Sequence, residues 1–302
     1  MMHEGDQMID TLFLGNGLNR TINNGLAWAN FMKRLGAASR EGENVPFPIE
    51  FEVTAAKQGC RIGARRSDPY KDLRTKISQI ITESDMKVGE THFAFRDLNV
   101  SNVITTNYDV LFESLLDTKS SIGNPGFSRN ILGPIFATST KKFFHAHGLA
   151  SWKNTLCLGH KHYASLISKM RNELYDGSED GARDYLRDLV LGKHDSKGIW
   201  PELLFTSNVA IVGFCLDYSE IDIWWLLAMR AALFQPSGGL DKYANQISYY
   251  QIDIKSRKKT PYDYGKQEAL NALGVEVQLI HADDFTAGYQ DIARRIKEYR
   301  DE

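Results

Sequence analysis

Short apolar runs recur along the chain, separated by stretches in which apolar residues return every third or fourth position. "TLFLG" (11–15), "NVITT" (102–106), "KKFFHAHG" (141–148), "TLCLGH" (155–160), "NVAIVGF" (208–214), "QISYYQID" (246–253) and "VEVQLIHA" (275–282) read as strands. The helical period predicts helices over 18–35, roughly 50–58, 70–82 and 88–97, then 108–116, 219–234 and 263–273, and a terminal helix. In that last helix Phe285, Tyr289, Ile292, Ile296 and Tyr299 fall on one face. Residues 36–50, "GAASREGENVPFPIE", hold glycines and two prolines and read as a loop. Between about 160 and 200 the text is charged and helical.

Strands that are short, apolar on both faces and separated by helices imply a mainly parallel sheet covered on both sides. The expected architecture is a doubly wound α/β fold forming a single domain over residues 1–302, with a helical insertion or small subdomain at about 160–200. A chain of this length buries a large core.

Composition narrows the function classes. With 42% hydrophobic and 25% charged residues the chain reads as globular, and its net charge of −2 offers no basic excess for nucleic-acid binding. The cluster "KSRKK" (255–259) reads as a solvated loop. Cys60, Cys157 and Cys215 are scattered, which argues against a disulfide framework and a cysteine-rich zinc site. The polar N-terminus and the short apolar runs point away from a signal peptide and a membrane span, so a cytoplasmic protein is expected.

In an open parallel sheet, ligands bind beyond the carboxyl ends of the strands. Four strand ends here carry unusual residues: "GNGLNR", "TTNYD", "HAHG" and "GFCLDYSEID". Gly15 and Gly17 sit between a strand and a helix, where glycine permits close approach of a pyrophosphate; a tight turn needing positive φ is the plainer reading. The third glycine of the dehydrogenase fingerprint is missing. Asn107 or Asp109 can cap the helix that follows, but two polar residues at a cleft also supply an amide and a carboxylate. Period-two alternation puts His145 and His147 on the same side of a strand. With His160 and His162 nearby, a metal site of the H-x-H…H-x-H type competes with buried structural histidines, and His147 beside Gly148 is the best general-base candidate. Asp217 and Asp222 read as caps and Glu220 as a first-turn charge, in a segment that is mainly core.

Taken in order, "GNGLN", "TTNYD", "HAHG" and "VGFCLD" resemble the SIR2-like family, and most closely the prokaryotic SIR2-like domains of anti-phage defence systems. The resemblance implies a Rossmann-like fold that binds NAD+ as substrate and hydrolyses it to nicotinamide and ADP-ribose, with no metal. It implies Asn107 and His147 as catalytic residues, Asp109 near the nicotinamide amide, and Gly15, Asn16, Gly17, Asn19, Thr106 and Gly213 as cofactor-binding residues. His145 is the alternative catalytic histidine. Asn16 and Asn19 depart from the family's usual alanine and small hydroxyl residue, and three scattered cysteines cannot build the four-cysteine zinc ribbon of the deacylases. The expected protein is therefore a regulated, toxic NAD+ hydrolase rather than a protein deacylase or ADP-ribosyltransferase, with a silent NAD+-sensing module as the alternative. Its expected partners are NAD+, a separate sensor or activator protein and further copies of itself, with no nucleic acid and no membrane.

Overall fold

A computed structural model describes residues 8–22, 25–36, 45–58, 70–120, 131–175, 181–255 and 260–298. Cys60, Tyr299 and positions 256–259 of the basic cluster lie outside the described residues. The strands are β1 (Thr11–Leu14), β2 (Asn102–Thr105), β3 (Lys119–Ser120), β4 (Phe136–Ala137), β5 (Lys142–His145), β6 (Val209–Val212), β7 (Ile247–Ile254) and β8 (Glu276–Ala282). The helices are α1 (Trp28–Leu35), α2 (Phe47–Lys57), α3 (Lys71–Glu83), α4 (Glu90–Arg96), α5 (His160–Leu174), α6 (Gly181–Val190), α7 (Trp200–Thr206), α8 (Ile221–Leu233), α9 (Pro261–Ala272) and α10 (Phe285–Glu298).

The strands form one sheet in the order β3-β4-β5-β2-β1-β6-β7-β8. From β5 to β8 every neighbouring pair is parallel, and β3 and β4 add a short antiparallel edge. With β1 central and its neighbours reached by crossovers in both directions, the order is that of a doubly wound, Rossmann-like sheet. The two-residue edge strands carry too short a pattern to be read in advance.

Alternation along the central strands sends each successive side chain to the opposite face. Phe13, Ile104, Phe144, Val209 and Ile211 join the core under α5 to α9. Leu12, Leu14, Val103, Phe143, Ala210 and Val212 join the other core, against α4 and α10. Complete burial of such a side chain contributes on the order of 2–3 kcal/mol. Helices α5 and α6, within the predicted insertion, place Tyr163, Leu166, Met170, Leu174 and Leu186 directly in the first core. A third apolar cluster belongs to α1, α2 and α3, which connect β1 to β2 and close over Tyr108, Leu156 and Leu158.

Several predicted elements differ. The helix expected over 18–35 is a 3-10 turn at Asn19–Thr21 followed by α1; Gly25 presses so closely on the Asn19 carbonyl that a Cβ would overlap it. The loop expected over 36–50 gives way to α2 at Phe47, whose first turn accepts Pro48 without losing a hydrogen bond. The helix expected over 108–116 shrinks to a 3-10 turn at Glu113–Leu115, because Tyr108 plunges into the core and the Asp109 carboxylate takes the Leu111 N–H at 3.0 Å. "TLCLGH" pairs with no strand; its leucines are buried under the α1–α3 cluster instead. In α10, Tyr289, Ile292 and Ile296 are buried while Phe285 is 44% exposed. Among the described residues no helix is long and apolar enough to cross a membrane.

Candidate functional site

The carboxyl ends of β1 and β2 lie side by side, so their following turns meet in a cleft lined by Gly15, Asn19, Thr105, Asn107, Asp109 and, from α4, His92. Phe112 and Glu113 close one side. The enclosed space is about 10 Å³, near the threshold for a single water.

The glycines of the first turn are required by protein packing. A Cβ on Gly15 would overlap Phe214, and one on Gly17 would meet the Gly213 Cα at 2.6 Å. Neither glycine has positive φ, so the tight-turn reading of them fails; Gly213 does, at +65°. The Gly17 N–H donates to the Gly213 carbonyl at 2.7 Å, which locks the turn after β1 onto the turn after β6. Asn16 faces away from the cleft centre: its amide donates to the Leu26 carbonyl at 2.8 Å. Thr106 is buried, and its N–H joins the two strand ends by donating to the Leu14 carbonyl at 3.3 Å.

Asn107 is half-buried, its N–H held by the Thr105 hydroxyl at 3.1 Å, and its amide reaches across the cleft to the Gly15 carbonyl at 3.4 Å. That long bond is readily exchanged for one to a ligand. Asp109 accepts from the Asn19 amide at 2.9 Å as well as from Leu111. Burial raises its pKa, and the Leu111 N–H opposes that rise.

His145 and His147 do not share a side. β5 ends at His145, and the chain then turns, with Gly148 at φ +90°. The His145 ring contacts Phe136, whereas that of His147 contacts Tyr163 in the core on the opposite face. His145 donates from Nδ1 to the Asn107 carbonyl at 3.0 Å. Its Nε2 approaches Glu113 Oε1 to 3.1 Å, yet neither atom makes an aligned hydrogen bond. Burial pulls the imidazole down, but Glu113, the Asn107 carbonyl and Asp109 together outweigh it and the pKa is raised.

His147 sits between two carboxylates from the start of α8. Nε2 is 2.9 Å from Asp222 Oδ2, and Nδ1 is 3.8 Å from Glu220 Oε2. Tyr163 donates its hydroxyl to the same Glu220 oxygen at 2.7 Å. All four side chains are buried. Burial lowers the His147 pKa, and the two carboxylates more than reverse this. Glu220 is pushed up to about 7 by burial, against the pull of His147. A left-handed Leu216, at φ +48°, bends the chain between β6 and α8 and so presents these carboxylates to the histidine.

Sequence reasoning missed this pairing. The expected roles are exchanged: Glu220, read as a first-turn charge, stands at the N-cap position of α8, and Asp222, read as a cap, lies in its first turn; both side chains turn inward. Their burial beside a histidine depends on the β5–β6 crossover, which no local pattern reveals. His92 was missed for the same reason. The alternative four-histidine metal site does not form: among the described residues, the group able to hold a metal is His147, Glu220 and Asp222, with one ligand atom each within 4.8 Å of the others. His162 instead accepts the Gly159 N–H at 3.1 Å at the start of α5.

Residues 101–221, which span β2 to the start of α8, match the family described as SIR2-like domain. The matched span contains Asn107, Asp109, His147 and Gly213, and it bears out the SIR2-like resemblance. Domains of this family use NAD+. No curated protein matches the chain.

Proposed function

We propose, from the SIR2-like domain at residues 101–221, that the protein is an NAD+ hydrolase that cleaves the bond between nicotinamide and ribose. The observation that carries this reading is the meeting of Asn107, Asp109 and Asn19 in one cleft at the ends of β1 and β2. In NAD+ the nicotinamide ring is already cationic. It leaves with the bonding electron pair as a neutral base, and positive charge builds on the ribose as in other glycoside cleavage. The protein has to orient the sugar, offer dipoles to the developing charge and deliver water to the sugar carbon.

The residues divide these tasks. Asp109 accepts from the nicotinamide carboxamide. Asn107 exchanges its bond to Gly15 for one to the ribose or the attacking water. Asp222 accepts the Nε2–H of His147, which leaves the lone pair on Nδ1, and Nδ1 has no partner at hydrogen-bond distance on Glu220. His147 is buried and does not line the Asn107–Asp109 cleft, so its role requires the ribose to reach it past the turn after β5. Nδ1 then takes the proton from a ribose hydroxyl or from the water, and Asp222 stabilises the imidazolium. The turns that carry Gly15 and Gly17, with Asn16, Asn19, Thr106 and Gly213 around them, form the remainder of the NAD+ site. We further propose that residues 1–302 form a single domain.

We also propose that the hydrolase is a toxic effector of anti-phage defence, held quiet until a sensor protein or self-association opens it. A cleft of about 10 Å³ supports a resting form that excludes substrate. A second reading is a module that senses NAD+ without turnover. Incubating the purified chain with NAD+, alone and with the product of any neighbouring gene, and measuring nicotinamide and ADP-ribose distinguishes the two. Equal release of both products is expected. Stoichiometric binding with no release in either condition would replace the hydrolase by the sensor.

A further inference from the structure

We infer that His92, acting through the side-chain amide of Asn19, is a positioning residue for Asp109 and sets the cleft to accept a substrate carboxamide; the substrate half of this rests on the NAD+ reading above. The Gly89 N–H, at the start of α4, donates to His92 Nδ1 at 3.2 Å, so that nitrogen holds the ring's lone pair. The proton of the neutral ring is therefore on Nε2, which lies 3.0 Å from Asn19 Oδ1 and donates to it. This leaves Asn19 Nδ2 to face Asp109 Oδ2, at 2.9 Å. No other arrangement is satisfied. Flipping the amide would set its oxygen against a carboxylate and its N–H groups against another N–H.

Every link is shielded. His92 is 1% and Asn19 2% exposed, and the Thr21 and Thr91 hydroxyls, 2.8 Å apart, clamp α4 to the same 3-10 turn. Burial lowers the His92 pKa to about 4, which keeps the ring neutral and its polarity fixed at physiological pH. An amide suits position 19 because its donor and acceptor are separate atoms and can bridge two groups on opposite sides; a hydroxyl has one atom for both. With Asn19 on one oxygen and Leu111 on the other, the Asp109 carboxylate is held in a single orientation at the cleft wall. A ligand N–H adds favourably to it, whereas a ligand carboxylate is repelled. The site thus selects nicotinamide over nicotinic acid.

Two substitutions separate this role from a structural one. An asparagine amide reaches only as far as Nδ1 and keeps the bond to Gly89; a glutamine amide reaches as far as Nε2 and keeps the bond to Asn19. With the full-length chain, His92→Gln is expected to cleave NAD+ at least tenfold faster than His92→Asn, with the difference in kcat rather than KM. His92→Asn is also expected to lose preference for NAD+ over nicotinic acid adenine dinucleotide. Nitrogen-15 NMR of the imidazoles is expected to show His92 as the neutral Nε2–H tautomer from pH 5.5 to 8. A His92 that protonates near pH 6.5, or a His92→Asn chain as fast as His92→Gln, overturns the inference. If the wild-type chain releases no nicotinamide either alone or with the product of a neighbouring gene, the proposed hydrolysis falls, and the NMR tautomer alone decides the relay.

Discussion

His145 and His147 are both buried beside carboxylates and both have raised pKa values, yet their surroundings suit them to different work. His145 spends its bonded proton on a backbone carbonyl, that of Asn107, and so pins the turn after β2. His147 spends its bonded proton on the Asp222 carboxylate and leaves Nδ1 free of a close partner. A ring that donates to a carbonyl is an anchor. A ring that donates to a carboxylate gains basicity at its other nitrogen, and that is the arrangement of a general base.

The largest effect should come from exchanging the two roles. His147→Gln keeps a donor near Asp222 but has no basic nitrogen, so NAD+ cleavage should fall on the order of a thousandfold. His145→Gln should cost far less, through a looser Asn107 turn. Glutamine is preferred to alanine because it fills the site and keeps a donor for Asp222, whereas alanine would leave that buried carboxylate oxygen without its partner, at a cost of roughly 1–3 kcal/mol in stability. Nicotinamide release and thermal unfolding of both variants check this. A dead His145 variant beside an active His147 variant would reverse the comparison.

Asn107→Ala comes next. If its amide orients the ribose or the water, the rate should drop on the order of a hundredfold with little change in unfolding temperature, since only a 3.4 Å bond to Gly15 is lost from the fold. Wild-type-like nicotinamide release would place the important contact of this turn at the backbone that His145 holds rather than at the side chain.

The contrast between the two histidines also shows how far the sequence could be read. The sheet was legible because β1, β2 and β6 are apolar on both faces and flanked by turn residues, a pattern that states its own burial. The positions of Gly15, Asn107, Asp109 and His147 at strand ends followed from that. What each polar residue faces did not follow. Asp222 becomes the partner of His147 only after a crossover brings α8 beside the turn that follows β5, and His92 meets Asn19 only after α4 packs beneath the first turn. The failed helix at 108–116 has a related cause: its spacing is helical, but Tyr108 gains more by burial and a bond to the Cys157 carbonyl at 2.6 Å than the first turn of a helix would provide.

A smaller effect tests the acid side of the comparison. Glu220 has its folded pKa raised to about 7, above the ordinary carboxylate value near 4.5. The folded chain therefore holds this proton more tightly than the unfolded chain does. The resulting stability is complete below about pH 4.5, declines as pH rises and is gone above about 7. The raised pKa of His147 acts in the same direction. Glu220→Gln carries no titrating proton, so unfolding temperature measured from pH 5 to 8 should fall less steeply than in the wild type. An identical slope in the two proteins would show that Glu220 does not hold a proton beside His147.

Tyr163→Phe should give the smallest change, and it separates the two sides of His147. The hydroxyl donates to Glu220 at 2.7 Å and favours the ionised carboxylate, so its removal raises the Glu220 pKa further. Near pH 8, where Glu220 is ionised, the loss should be about 1.5–3 kcal/mol, the usual value for a hydrogen bond to a charged group. Near pH 5.5 the carboxyl is protonated and the loss should shrink toward about 1 kcal/mol. Urea unfolding at the two pH values measures the difference. Tyr108→Phe, which removes a bond to the neutral Cys157 carbonyl, should cost the same at both. If the two tyrosines behave alike, the Glu220 side of His147 is inert packing, and Asp222 alone would set the chemistry of the ring.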